Sequence, residues 1–249
     1  MPKFFVKNEQ IQKDIIKVSD SDVNHIKNVL RANLGDKIQI CDVSNSQDYL
    51  CEIVEIKNDT IDCKIINRLE SNSESNVQVS IFQGIPKSEK MELIIQKSVE
   101  LGVYNIIPTE MNRCIVKLDD KDKNKKMQRW QKISEVAAKQ CGRNIIPEIR
   151  PIINLKNICN LMQEYDIVLV AYEQEEINKL KFEIQKLKEK NLKKYKIAIV
   201  IGPEGGIEEK EIEMLKGKGA KVVTLGKRIL RTETVAFNIL SILMYELEK

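Results

Sequence analysis

Histidine is the scarcest catalytic residue in this sequence, with His25 as the single example among 249 residues. Zinc sites and the Ser-His or Cys-His pairs of nucleophilic catalysis need more histidine than this. The 6 cysteines never form a CxxC pair. We therefore expect no bound metal, and free thiols in a reducing compartment.

Long apolar segments are also lacking. No stretch approaches the roughly 20 apolar residues of a membrane-spanning helix. The run 235–247 is shorter, and Asn238, Ser241 and Glu246 interrupt it. The first residues, MPKFFVKNEQ, contain no apolar signal-peptide segment. These features predict a cytoplasmic protein without a membrane partner.

The composition that remains is that of an ordinary globular protein. Hydrophobic residues make up 42% and charged residues 31%, which is enough for a sizeable core. The net charge of +4 is mild. It permits a nucleic-acid partner without demanding one, because phosphate binding depends on how Lys and Arg cluster.

Residues 1–70 have the pattern of a small, mainly β domain. Short apolar or alternating runs predict strands at 3–6, 37–42, 49–56 and 60–67, with one helix at 22–30. Residues 69–76, LESNSESN, are polar and lack apolar periodicity. We interpret this segment as a linker between two domains.

Residues 77–249 alternate between strand and helix patterns, which is typical of an α/β sheet. Predicted strands are 77–84, 104–108, 167–171, 197–201 and 220–225; predicted helices are 88–101, 127–140, 155–162, a lysine-rich surface helix within 175–196, 208–216 and 235–247. Residues 119–126, DDKDKNKK, are expected to form a charged loop. The last helix is apolar on nearly every face, so we expect a second subunit to cover it.

Two of these strands end in loops suited to a ligand. The strand 197–201 runs into Gly202-Pro203-Glu204-Gly205-Gly206, whose glycines allow close backbone approach. The strand 220–225 ends at Gly226. Ligands of open parallel sheets bind at the carboxyl ends of neighbouring strands. There is no GxxxxGK[ST] or GxGxxG loop, and Glu204 would repel phosphate, so an uncharged or cationic ligand is expected.

These loops resemble the signature of the RsmE family. The resemblance rests on IGPEGG at 201–206 followed by LGKRILRTET at 225–234. It extends to His25-xxx-Val29-Leu30-Arg31 with Gly35-Asp36, KMELIIQKSVELG at 90–102, Arg113, and Ala137-Ala138-Lys139-Gln140 with Arg143. These separated matches occur in the family's order and cover essentially the whole chain.

The resemblance implies a fold, an activity and partners. Members are SPOUT-superfamily methyltransferases that modify N3 of a uridine in 16S ribosomal RNA of the small subunit, with S-adenosylmethionine as cofactor. The implied architecture is α/β: a PUA-like β-barrel at 1–70 that contacts RNA, then a SPOUT domain at 77–249 with a C-terminal trefoil knot. The implied assembly is a homodimer formed through the C-terminal helix.

The resemblance and the loop positions together predict the site. The expected cofactor-binding residues are Ala171, Tyr172, Glu173, Ile201, Gly202, Pro203, Glu204, Gly205, Gly206, Leu225, Gly226, Ile229, Leu230, Arg231 and Thr234. Glu204 is the expected carboxylate beside the cationic sulfonium. The expected RNA-binding residues are His25, Lys27, Arg31, Arg113, Gln140 and Arg143.

Catalysis is assigned to Arg113, Arg143, Arg231 and Glu204. An arginine fork can stabilise the planar anion that uracil forms when N3 loses its proton. Several alternatives stay open: Arg143 and Arg231 could instead clamp an RNA phosphate, and either Glu204 or Glu233 could accept the proton. Glu233 could also serve only the dipole of the last helix, and Thr232 and Thr234 could be helix caps.

Two other functions compete with this prediction. One is a non-enzymatic RNA-binding factor for ribosome assembly, which would not need a closed apolar cofactor pocket. The other is a nucleotide-binding α/β enzyme, against which the missing phosphate-loop motifs argue.

Overall fold

The computed structural model describes residues 3–70 and 73–248. The described residues belong to two compact units, one within Met1–Glu74 and Ala138–Ile146, the other within Ser75–Ala137 and Pro147–Lys249. A β unit followed by a parallel α/β unit is the order that the sequence predicts. The predicted linker 69–76 includes residues 71 and 72, which lie outside the described residues.

The first unit is built on a six-stranded sheet of order β1-β4-β5-β6-β3-β2. Its strands are β1 (Lys3–Val6), β2 (Ile11–Gln12), β3 (Ile15–Ser19), β4 (Lys37–Asp42), β5 (Gln47–Ile56) and β6 (Thr60–Leu69). Alternate side chains of these strands, such as Ile16 and Val18 or Ile38 and Ile40, fill the core. The β2–β3 hairpin was not predicted from the sequence.

The predicted helix 22–30 is wrong in detail. The structure has a short α1 (Ser21–Asn24) followed by a π-helical turn, His25–Val29. The turn ends at Val29 with Leu30 as C-cap, and the next residue, Arg31, has a positive φ of 53°. The wider turn leaves Val29 65% exposed while Ile26 is fully buried.

The second unit contains a parallel sheet of order β10-β8-β7-β12-β11-β13, with β9 also paired to β8. Its strands are β7 (Val77–Gly84), β8 (Asn105–Glu110), β9 (Glu148–Ile149), β10 (Ile153–Asn154), β11 (Ile167–Ala171), β12 (Tyr195–Ile201) and β13 (Lys221–Val223). Its helices are α2 (Lys90–Glu100), α3 (Asp120–Cys141, which ends in the first unit), α4 (Leu155–Leu161), α5 (Leu180–Glu189), α6 (Glu209–Gly217) and α7 (Thr232–Leu247). The central strands are buried on both faces, as their continuous apolar sequences predict.

Two helix starts differ from the sequence prediction. The charged segment 119–126 is not a loop, because α3 begins at Asp120 and the Asp119 carboxylate accepts the backbone N–H of Asp122 at 2.8 Å. Acidic residues in the first turn stabilise a helix because their negative charge interacts favourably with the positive end of the helix dipole. α2 begins at Lys90 rather than at the predicted residue 88: Ser88 has a φ of +56°, and Glu89 is the N-cap residue.

The last helix is less buried than its sequence predicts. It packs on α2 and on β7, where Ala236, Ile239, Leu240 and Leu243 are fully buried. Tyr245 is 88% exposed, and Phe237 and Ile242 are half-buried. Within residues 3–70 and 73–248, no helix is long and apolar enough to cross a membrane.

Candidate cofactor site

The loops after β11, β12 and β13 meet at one cleft. These three strands are neighbours in the parallel sheet, so their carboxyl ends lie on the same edge. The cleft has a volume of about 500 Å³. All the predicted cofactor-binding residues line it except Thr234, and the structure adds Lys90, Ile207, Thr224, Lys227, Arg228, Thr232 and Val235.

The glycine turn after β12 is shaped by close backbone approaches. Gly206 has a φ of +72°, and its N–H donates to the carbonyl of Pro203 at 2.9 Å. A Cβ on Gly202 would stand 2.9 Å from the carbonyl carbon of Gly206, and one on Gly205 would stand 3.1 Å from the Cβ of Arg113. The turn therefore requires glycine, and its backbone forms one wall of the cleft.

Glu204 is held by lysines on the facing segment. Its carboxylate accepts the backbone N–H of Lys87 at 3.1 Å and pairs with the Lys90 ammonium at 3.1 Å. Partial burial acts to raise the pKa of Glu204. The hydrogen bonds from its own N–H, Lys90 and Lys87 outweigh this, so the pKa is lowered. Glu204 is therefore an ionised anchor and a weak base at neutral pH.

Lys90 was not predicted as a site residue. Its ammonium lies 3.1 Å from Glu204 and 3.6 Å from the Oε2 of Glu233, so one cation joins the glycine turn to the start of α7. Glu233 does not line the cleft. The contacts cross more than a hundred positions in sequence, and no local pattern around Lys90 signals them.

Thr232 ties the two signature loops together. Its hydroxyl donates to the carbonyl of Gly202 at 2.7 Å and accepts from the Gln83 amide at 2.9 Å. The side chain is buried, and it does not cap α7, whose N-cap residue is Arg231. Thr234 is exposed and does not line the cleft.

Arg113 reaches the same turn from the other side. Its guanidinium donates to the carbonyl of Gly205 at 2.9 Å. The preceding residue, Asn112, is fastened to the first turn of α6: its backbone N–H donates to Glu211 at 3.0 Å and its side-chain amide to Glu208 at 2.6 Å. Arg113 itself is exposed, so its remaining donors are open to a ligand.

The loop after β11 contributes Tyr172 and Glu173. The hydroxyl of Tyr172 donates to Gln174 at 2.9 Å. Partial burial raises the pKa of Tyr172, and the charges of Glu173 and Glu209 add to this. The Glu173 carboxylate lies over Gly206, where its Oε1 is 2.5 Å from the position that a Cβ would take.

The remaining predicted residues belong to the first unit. Arg143 is 6% exposed, and its guanidinium pairs with Glu74 at 2.6 Å. Glu74 also accepts the N–H of Asn144 at 2.9 Å. Arg143 is thus fixed within the first unit by the segment before β7, and it does not line the cleft.

The predicted RNA-binding residues of the first unit are mostly exposed. His25 contacts the Phe4 ring edge-on at 5.7 Å between centroids, and Lys27 donates to the carbonyl of Lys57 at 3.3 Å. Arg31 and Gln140 are exposed. Among the described residues, no group of three or more His, Cys, Asp or Glu side chains could hold a metal ion.

The class of protein follows from comparison with known families. The RNA methyltransferase domain family matches residues 73–244, which include the whole cleft. The RNA methyltransferase PUA domain family matches residues 18–66 of the β unit. This combination defines an RNA methyltransferase with an N-terminal PUA-like domain.

Individual relatives identify the family more narrowly. The chain is 37% identical over its full length to ribosomal RNA small subunit methyltransferase E of Bacillus subtilis, covering 98% of that protein. It therefore belongs to the ribosomal RNA small subunit methyltransferase E family.

Solved structures agree with this assignment. The protein of that name from Neisseria gonorrhoeae, bound to S-adenosyl methionine, superposes with a TM-score of 0.86 at 28% identity, covering 100% of this chain and 98% of that one. A putative methyltransferase from Legionella pneumophila, in complex with bound S-adenosyl methionine, gives 0.84 at 31% identity, covering 98% and 96%.

Proposed function

We propose that this protein transfers a methyl group from S-adenosylmethionine to N3 of a uridine in 16S ribosomal RNA of the small subunit. The observation that carries the proposal is the cleft at the ends of β11, β12 and β13, formed by the loops that resemble the family signature. Bound S-adenosylmethionine supplies a methyl group that its positive sulfur has already activated for displacement.

The residues of the cleft fit such a cofactor. The turn 202–206 can fold this tightly because Gly202 and Gly206 carry no Cβ. All of its residues line the cleft, where a nucleoside would bind. Leu225, Ile229 and Leu230 supply apolar walls, and Ile229 is 83% exposed and available for contact. The predicted set apart from Thr234, including Ala171, Ile201 and Pro203, lines a volume suited to a ligand of nucleoside size.

We propose that arginines stabilise the negative charge that uracil acquires during the reaction. Arg231 lines the cleft, and Arg113 lies at its edge on Gly205. Their planar donors suit the anion that uracil forms on losing the N3 proton. We keep Arg143 as a proposed RNA contact, at the uracil anion or at a phosphate; its guanidinium is buried and paired with Glu74, so the RNA would have to displace part of that pairing. Glu204 keeps the turn in place through Lys90.

We propose further that the RNA contacts the first unit through His25, Lys27, Arg31 and Gln140.

We also propose that the protein forms a homodimer through α7, that its chain contains a trefoil knot and that it acts in the cytoplasm. The exposed Tyr245 and the half-buried Phe237 and Ile242 support the homodimer, because a second copy would cover them. Sedimentation of Tyr245→Lys against the unaltered chain tests it.

Calorimetric titration with S-adenosylmethionine tests the enzymatic proposal. Saturable binding with one site per chain is expected. A thermal-shift series separates the competing functions: S-adenosylhomocysteine should stabilise a methyltransferase, ribosomal RNA alone a binding factor, and ATP or NAD a nucleotide enzyme. Stabilisation by RNA alone would overturn the proposal.

A further inference from the structure

Two carboxylates line the cleft, and they differ in how they are held. Glu204 and Glu173 are both lining residues. The oxygens of Glu204 already accept from Lys87 and pair with Lys90. Both of its oxygens are therefore engaged within the protein, which argues against the role of sulfonium partner that the sequence suggested for it.

Glu233 offers no alternative. Its side chain is 14% exposed, faces Lys90 at 3.6 Å, and does not line the cleft. Lys90 thus lies between Glu204 and Glu233, and these three side chains interact with one another.

The Glu173 carboxylate differs from that of Glu204 in its contacts. Across the described part of the chain, its carboxylate makes no hydrogen bond and no ion pair, although it lies over Gly206. The side chain is exposed at the cleft rather than buried, so it does not need a partner within the protein. Apart from Glu204 and its partner Lys90, the other charged side chains of the lining are cations on the loop after β13, namely Lys227, Arg228 and Arg231. Glu173 is the negative charge of the cleft that remains available to a ligand.

The backbone beside Glu173 supports a ligand-facing role. At Gly206 a Cβ would come within 2.5 Å of the Glu173 Oε1, and the positive φ of 72° disfavours any L side chain. A glycine at this position leaves the carboxylate room to lie against the turn. The charge and the turn's exposed backbone therefore share one wall of the cleft.

We propose that the Glu173 carboxylate selects the charged form of the cofactor, so that the site prefers S-adenosylmethionine over S-adenosylhomocysteine. The two ligands differ by one methyl group and one positive charge, at the sulfur atom. A carboxylate near that sulfur stabilises the sulfonium and leaves the neutral thioether unaffected. This inference rests on the proposed function and assigns the discrimination between methyl donor and product to one side chain.

Calorimetric titration of the full chain with both ligands tests the inference. Glu173→Gln keeps the shape of the side chain and removes its charge. The dissociation constant for S-adenosylmethionine should rise on the order of tenfold, whereas that for S-adenosylhomocysteine should change less than about twofold. Glu176→Gln is the matched control, because Glu176 is an exposed acid of the same loop that does not line the cleft. It should leave both constants and their ratio unchanged.

The outcomes are separable. If Glu173→Gln binds both ligands with the same ratio of constants as the unaltered chain, Glu173 does not select the sulfonium and the inference is overturned. An equal change in Glu176→Gln would also overturn it, since a general charge effect would then suffice. If the unaltered chain binds neither ligand, the proposed function itself fails.

Discussion

The Thr232 hydroxyl donates to the carbonyl oxygen of Gly202 at 2.7 Å, which joins the first turn of α7 to the glycine turn after β12. Gln83 donates to the same hydroxyl from the end of β7. A single buried side chain thus holds together three elements that are far apart in sequence.

Replacing this hydroxyl should destabilise the α/β unit. Thr232→Val has nearly the same shape but leaves a carbonyl and an amide without their partner, which should cost about 1–3 kcal/mol of unfolding free energy. Urea denaturation measures this. Thr234→Val, at an exposed position of the same turn, should stay within about 0.5 kcal/mol. Equal effects of the two substitutions would show that the Thr232 hydrogen bonds contribute nothing.

A side chain at Gly205 should block the cleft wall. The Cβ of Gly205→Val would meet the Cβ of Arg113 at 3.1 Å, so the turn or Arg113 must move. Binding of S-adenosylmethionine should weaken by at least about tenfold in a calorimetric titration. Gly217→Val is the control, because nothing lies within 4 Å of a Cβ there. Normal binding by Gly205→Val would mean that the cofactor site is elsewhere.

We expect Lys90 to stabilise the fold through its side-chain ammonium and Lys87 only through its backbone N–H. Lys90→Met leaves Glu204 and Glu233 facing each other without a cation. Because these groups are partly exposed, the expected loss is about 1–2 kcal/mol of unfolding free energy. Lys87→Met keeps the N–H that binds Glu204 and should be close to neutral. An unchanged unfolding free energy in Lys90→Met would contradict the linking role assigned to the Lys90 side chain.

Because the pKa of Glu204 is lowered, its contribution to the stability of the fold should depend on pH. A carboxyl whose folded pKa is depressed stabilises the fold above its unfolded pKa of about 4.3. That contribution is lost as pH falls through the folded value. The stability difference between the unaltered chain and Glu204→Gln should therefore be constant above about pH 5 and shrink below it. The difference should be smaller throughout in a Lys90→Met background, and a difference independent of pH would refute the shift.

The sequence predicted the loops of the site but not the side-chain contacts that hold them together. The loops 171–173, 201–206 and 225–231 were predicted from their positions after apolar strands together with the family resemblance, and the structure gathers them at one edge. Lys90 and Thr232 were missed as linking residues. Their partners lie at Glu204, Gly202 and Gln83, and only the tertiary fold brings them into contact.

Helix ends and helix faces were the other weak points. The start of α3 contains no apolar residue to give periodicity, and the usable signal was the acidic first turn after Asp119. In α7 the apolar residues surround the helix, so the sequence cannot show that Tyr245 faces outward while Leu243 is buried. Burial of such a helix depends on which neighbours the chain supplies.

The most direct test of the account is nucleoside analysis of 16S RNA after small subunits lacking the modification are incubated with the protein and S-adenosylmethionine. We expect 3-methyluridine as the product, and little or none with Gly205→Val. Unmodified RNA after incubation with a chain that binds the cofactor, or a methyl group on any other atom, would contradict it.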